Sequence, residues 1–265
     1  MGQINMVIGC CTTIDRYDTL QEMGYQAIAL AGKDIAGMDD ETFLRAAEKI
    51  KAGPLAMTSL NAFCPPALRL NGPDVDYGSV CAYAEKLCYR GQAMGVKYLG
   101  VGSPASRNTP KGYPRERALS EFGHSIMEIC RVAEKYQMEV LLEALASVEC
   151  NCVNDTMEAL DLLCGLNLPN LHLLYDIYHA CLMKEPVKWI ETAAPEIQCV
   201  HIAGVHGEGH TYLNPRSMEK MLPYIKMLAQ CGYHGELLLE AFCGDPDSGL
   251  AQSLELLRGV QQDQN

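Results

Sequence analysis

Apolar residues along this chain gather into eight short runs, separated by longer stretches in which apolar positions recur every three or four residues. The runs cover residues 4 to 9 (INMVIG), 25 to 31 (YQAIALA), 55 to 60 (LAMTSL), 96 to 101 (VKYLGV), 138 to 143 (MEVLLE), 171 to 176 (LHLLYD), 197 to 202 (IQCVHI) and 236 to 240 (ELLLE). Near-continuous runs of this length predict parallel strands buried on both faces. The intervening stretches, such as DETFLRAAEKIKAG ending at Gly53 and YGSVCAYAEKLCYRGQAMG ending at Gly95, predict amphipathic helices closed by a glycine C-cap. A short turn signature precedes several strands: MGY at 23, MGV at 94 and CGY at 231.

Strand and helix in regular succession imply parallel pairing through right-handed crossovers, and eight such units are the number that closes a barrel. The expectation is an α/β fold, a single (β/α)8 TIM barrel forming one domain over residues 1 to 265. An open doubly wound sheet is the rival, but it would place a Gly-rich phosphate loop after its first strand, and CCTTID follows Gly9 instead. Two Pro-rich segments interrupt the alternation. GSPASRNTPKGYPRER, residues 102 to 117, and FCPPALRLNGPD, residues 63 to 74, read as ordered loops over the barrel mouth.

Four of the runs deliver an ionisable residue at their C-terminal end: Glu143, Asp176, His201 and Glu240. The C-terminal ends of parallel barrel strands converge on one mouth, so these residues can meet around a single ion. Three carboxylates and one imidazole make a mostly hard ligand set, suited to Mn²⁺ or Mg²⁺ and able to accept Co²⁺ or Zn²⁺. Taken singly, each has an ordinary alternative: a strand-end acid often caps the next helix, and a strand histidine is often a hydrogen-bonded core residue. Corresponding positions on four strands favour the metal.

Composition narrows the partners. The formal charge is −12, with 33 acidic against 21 basic residues, which argues against nucleic acid and for a small neutral or metal-chelated substrate. No apolar stretch approaches the ~20 residues of a membrane span. The N-terminus has no basic region, and Met6 stands where a myristoylation signal wants Ser or Thr. The expectation is a soluble cytoplasmic protein, compatible with a homo-oligomer. The 13 cysteines include no C-x-x-C pair, and neither Cys10-Cys11 nor Cys150 with Cys152 has zinc-finger partner spacing, so the cysteines read as mostly small buried hydrophobes in a reducing compartment.

The order of these residues resembles the sugar phosphate isomerase/epimerase family with a xylose-isomerase-like barrel, which includes ketose 3-epimerases and inosose isomerases. The resemblance rests on Glu143, Glu149 in ASVECN, Asp176 and His179 in D-x-x-H, His201 in VHIAG and Glu240 in LLLEAF. The NAFCPP segment, whose Asn61 is expected with His210 to contact the substrate, and the loop from Gly102 to Pro110 are similar as well. The resemblance implies one divalent ion held by Glu143, Asp176, His201 and Glu240, with Mn²⁺ the first choice. It implies that Glu149 and His179 contact substrate oxygens and that Glu143 and Glu240 move protons next to a carbonyl. The implied activity is isomerisation or epimerisation of a sugar, sugar phosphate or cyclitol ketone through a metal-stabilised enediolate.

Two departures weaken a plain free-ketose epimerase. Gly207 stands where such enzymes commonly carry an Arg, and Ala29 and Leu30 stand where many relatives end the second strand with an acid. Arg107, Lys111, His206 and His210 are the local candidates to replace them, each otherwise a solvated loop residue, with Arg107 the first choice for a direct substrate contact. Deprotonation next to a carbonyl also begins an elimination, so a lyase on the same scaffold is the rival enzyme: an inosose or dehydroshikimate dehydratase, or a C-glycoside-cleaving subunit. An apurinic-site endonuclease shares the barrel but needs more His ligands and a basic surface. A non-catalytic carbohydrate-binding or partner subunit is the remaining alternative.

Overall fold

Alternate residues of each apolar run serve opposite surfaces, one set filling a barrel and the other meeting its coat of helices. The computed structural model describes residues 4–206 and 209–262. Its eight strands are β1 Val7–Thr12, β2 Ala27–Ala31, β3 Ser59–Asn61, β4 Tyr98–Val101, β5 Glu139–Glu143, β6 Leu171–Asp176, β7 Ile197–Ile202 and β8 Glu236–Leu239. All are parallel and follow chain order around a closed barrel, sealed where β8 pairs with β1 through Gly9 opposite Leu238 and Cys10 opposite Leu239.

Inside the barrel, Cys11, Ala27, Ala29, Leu141, Leu174, Cys199 and Leu238 form one buried cluster. Their strand neighbours Cys10, Ile28, Leu142, Leu173, Val200 and Leu239 face outward into the larger core under the helices. Leucines from the C-terminal half thus fill space left by small residues of the N-terminal half. Gly9 shows how tight the fit is: a Cβ there would lie 2.5 Å from Leu238 Cδ2 and 2.8 Å from the Ala27 Cβ. Fully burying a leucine contributes roughly 1.5–3 kcal/mol, so this interior is a packed core and no channel.

Several boundaries differ from the sequence expectation: β2 and β4 begin two residues later, at Ala27 and Tyr98, β5 begins and β8 ends within one residue of it, and three differences are larger. The first strand starts at Val7 and runs to Thr12, because the register that pairs Gly9–Thr12 with Ala27–Leu30 places Ile4 and Met6 in the buried lead-in. The third is short: Leu55 and Met57 pack in the outer core, Ala56 makes only an isolated bridge to Ala27, and Ser59–Asn61 forms the strand. The segment 102 to 117 contains helix after all. A single turn, Pro104–Arg107, starts with proline at its first position, and the long helix Arg115–Lys135 begins inside the segment. The segment 63 to 74 carries neither helix nor strand. Among the described residues, no helix is long and apolar enough to cross a membrane.

Candidate metal centre and active site

Strand parity places the chemistry. Glu143, Asp176, His201 and Glu240 each lie two residues beyond an interior residue, namely Leu141, Leu174, Cys199 and Leu238, so their side chains form the next layer toward the C-terminal mouth. One ligand atom from each lies within 4.8 Å of the others. Donors about 2.0–2.3 Å from a common ion lie at most about 4.6 Å apart, so the spread suits one cation. Asp176 supplies a second indication of fit. Its Oδ1 caps the helix Ile177–Met183, accepting the backbone N–H of Tyr178 at 2.6 Å and of His179 at 3.4 Å. Its Oδ2 is buried without any hydrogen-bond partner. Helix cap and ligand are therefore compatible readings of one carboxylate, an oxygen for each.

The two glutamates differ. Glu240 lies one residue past β8 and is tied at both oxygens: Asn61 Nδ2 donates to Oε1 at 2.7 Å, and His201 Nδ1 lies 2.9 Å from Oε2. Burial alone would raise its pKa, but the charge and hydrogen bond of His201, with His210 and Asn61 behind them, hold it down at about 2. The Glu143 carboxyl faces the cavity and lies 3.9 Å from His201 Nδ1. Burial first, and the charge of Glu240 second, push its pKa well above the ordinary carboxylate range. Metal-free, the pair is split into a protonatable Glu143 and an ionised Glu240.

Space for Glu143 comes from Gly102. A Cβ at that position would sit 2.0 Å from Glu143 Oε2. From the other side, Arg107 supports the strand end by donating from Nη1 to the Glu143 carbonyl at 2.8 Å. Arg107 is 0% exposed, stacks its guanidinium over the Phe122 ring and does not line the cavity. This corrects the expectation of a direct substrate contact: the one-turn helix turns Arg107 inward beneath the site.

Over this layer opens a cavity of about 480 Å³. Of the expected substrate contacts, it brings together Asn61, Glu149, His179 and His210 with Glu143 and Glu240. His179 is buried and accepts the Ala146 backbone N–H at Nδ1, 3.2 Å away, which leaves its ring proton on Nε2. Burial lowers its pKa, so it stands as a neutral N–H donor. Glu149 Oε1 lies 4.0 Å from His210 Nδ1, and the His210 ring leans on Tyr178 with centroids 4.0 Å apart. Glu149, His179 and His210 are close enough to suggest a second cation site. The tautomer of His179 opposes it, since Nε2 has no free lone pair.

Of the other proposed replacements, Lys111 and His206 lie off the cavity, while Gly207 is outside the described residues. Residues that sequence reasoning missed also line the wall: Thr12, Thr13, Lys33, Asp34, Ser103, Ser106 and Phe242. Lys33 and Asp34 come just after β2, which ends at Ala31, so an acid does stand near the second strand, three residues beyond its last residue.

Residues 17–260 match the family described as Xylose isomerase-like TIM barrel. A ketose 3-epimerase from Arthrobacter globiformis is 29% identical over 155 residues, 57% of this chain and 51% of that protein. The chain thus matches about half the length of that relative. Among solved structures, a D-allulose 3-epimerase from Methylomonas sp., in complex with D-allulose, superposes with a TM-score of 0.83 at 17% identity, covering 98% of each chain. The IolI protein, solved with a bound zinc atom, superposes with a TM-score of 0.76 at 16% identity, covering 97% of this chain and 99% of its own. With a closed eight-stranded barrel and a match over nearly its whole length, the chain belongs to the xylose isomerase-like TIM barrel family.

Proposed function

We propose that this chain is a divalent-metal-dependent isomerase or epimerase of an unphosphorylated sugar or cyclitol ketone. The observation that carries the reading is the pair of glutamates, Glu143 and Glu240, brought by strands three apart to one cavity beside Asp176 and His201. Glu143, Asp176, His201 and Glu240 would hold the ion, Mn²⁺ first among the hard divalent cations. When bound, it supplies Lewis-acid polarisation of a carbonyl and its neighbouring hydroxyl.

The protein's residues do the rest. Of Glu143 and Glu240, the ionised one takes the proton from the carbon next to the carbonyl and the one that carries a proton returns one from another side of the planar substrate intermediate, so each turnover exchanges their protonation states. His179 donates its Nε2–H to a substrate oxygen, and Glu149 accepts from a substrate hydroxyl. The wall sets the substrate class. Asp34, Glu143, Glu149 and Glu240 face the cavity against a single lysine, Lys33, and two histidines, an electrostatic setting that disfavours a phosphate dianion.

Incubation of the Mn²⁺-loaded protein in D₂O with free ketoses, their phosphates and inososes tests this directly. Deuterium should enter at the carbon beside the carbonyl of an unphosphorylated substrate, with an epimer or isomer as product. Exchange confined to phosphates would sink the substrate class, and loss of water from the substrate would convert the reading to a lyase. No exchange in any substrate would remove the catalytic reading.

A further inference from the structure

The cavity-facing layer explains one ring nitrogen of His201 and leaves the other to the barrel interior. Nδ1 is the nitrogen beside Glu240 and Glu143. Nε2 lies 3.7 Å from the sulfur of Cys11 on β1, within reach of a hydrogen bond to this large atom. Both residues are 1% exposed. The surrounding interior holds Ala27, Ala29, Leu174 and Leu238 with the sulfur of Cys199, which also faces the ring, and the buried Ser59 hydroxyl beside Cys199. Among the described residues the Cys11 sulfur is the group in hydrogen-bond geometry with Nε2, and an N–H there without a partner would cost about 1–3 kcal/mol.

We infer that Cys11 is the positioning residue for His201: its sulfur accepts the Nε2–H and so reserves Nδ1 for the ion. This rests on the metal reading above and adds to it a role for a residue outside the ligand set. Metal-bound histidines usually lean on a carboxylate, a backbone carbonyl or water. A thiol is a weak and uncharged acceptor. It fixes the tautomer without placing a further negative charge behind a site that already has three carboxylates, so more of the ion's charge remains for the substrate. The adjacent Cys10 cannot share the task, because strand alternation turns it into the outer core.

That neighbour supplies the control. Mn²⁺ binding is titrated by the spin-resonance signal of the free ion for wild type, Cys10→Ala, Cys11→Ala and Cys11→Ser, alongside melting of each metal-free protein. Cys11→Ala should weaken Mn²⁺ binding about tenfold, at the lower end of the usual outer-shell effect. Cys10→Ala, with a similar loss of packing, should leave affinity unchanged. Cys11→Ser should fall between, its hydroxyl being a better acceptor on a shorter arm, and it carries the comparison if the alanine variant does not fold. Wild-type affinity in the Cys11 variants, or equal losses at positions 10 and 11, would overturn the inference. So would a thiolate-to-metal charge-transfer band in the Co²⁺-loaded wild type, which would make Cys11 a ligand. Failure of the wild type to bind Mn²⁺, Co²⁺ or Zn²⁺ would instead defeat the metal reading itself.

Discussion

The two halves of the barrel do different work. Strands β5 to β8 and their C-terminal ends carry all four proposed ligand residues and the bulky interior leucines, whereas β1 to β4 and their ends carry Gly9, Cys11, Ala27 and Ala29 inside and Thr12, Asn61 and Ser103 along the cavity. The first half yields space and hydrogen-bonding wall, and the second fills that space and brings the charge. Reactive carboxylates can be crowded together only where neighbouring strands offer little bulk. The division also explains why the missing acid of the second strand leaves the four-residue cluster intact: that cluster belongs to the other half.

The strongest way to break the contrast is to remove basicity from β5 and β8. Glu143→Gln and Glu240→Gln keep size and an oxygen donor, so at saturating Mn²⁺ each should lower turnover by at least ~10², the usual contribution of a positioned base. Normal turnover in both, measured as deuterium exchange, would reduce these residues to ligands and pass proton transfer to His179 or Glu149. Next in size is Arg107→Ala, which tests whether the loop after β4 supports the second half or touches substrate. Loss of a wholly buried side chain and of the hydrogen bond to the Glu143 carbonyl should cost roughly 2–4 kcal/mol, read from denaturant unfolding. The Michaelis constant should change less than folding does.

Smallest per step, but most diagnostic of the paired glutamates, is the pH dependence of Mn²⁺ affinity. Metal-free Glu143 and His201 both have raised pKa values and must each lose a proton to ligate, so binding expels one proton from each below its pKa. Affinity should therefore rise about tenfold per pH unit for each of the two that is still protonated without metal, then level off. Calorimetry in buffers of different ionisation enthalpy would count the protons, and Glu143→Gln should remove one of them.

The sequence was legible where charge stands at the end of a buried run. Glu143, Asp176, His201 and Glu240 have no bland reason to recur at four strand ends, and their order carried the resemblance that the fold and the family match support. Strands β1 and β3 were harder to delimit, because Ile4, Met6, Leu55 and Met57 are as apolar as strand residues yet pack in the outer core. Arg107 misled for a related reason: a cation in a Pro-rich segment looks solvated until a single helical turn rotates it inward. Lys33 and Asp34 carry no local signal at all, since their place on the cavity follows from barrel closure, which brings β2 within reach of residues more than two hundred positions away.

Gly102 sets a limit on how such barrels can be rebuilt. It is glycine for room and not for backbone freedom, as the adjacent Glu143 carboxyl occupies the volume that a methyl group would need. The segment after β4 can thus be lengthened, shortened or exchanged with that of a relative to alter what the cavity admits, but the exchange has to begin after residue 102. A graft that carries even an alanine at this position would move the Glu143 carboxyl, the group proposed to transfer protons, before it touched the substrate, and a loss of activity would be mistaken for a change in specificity.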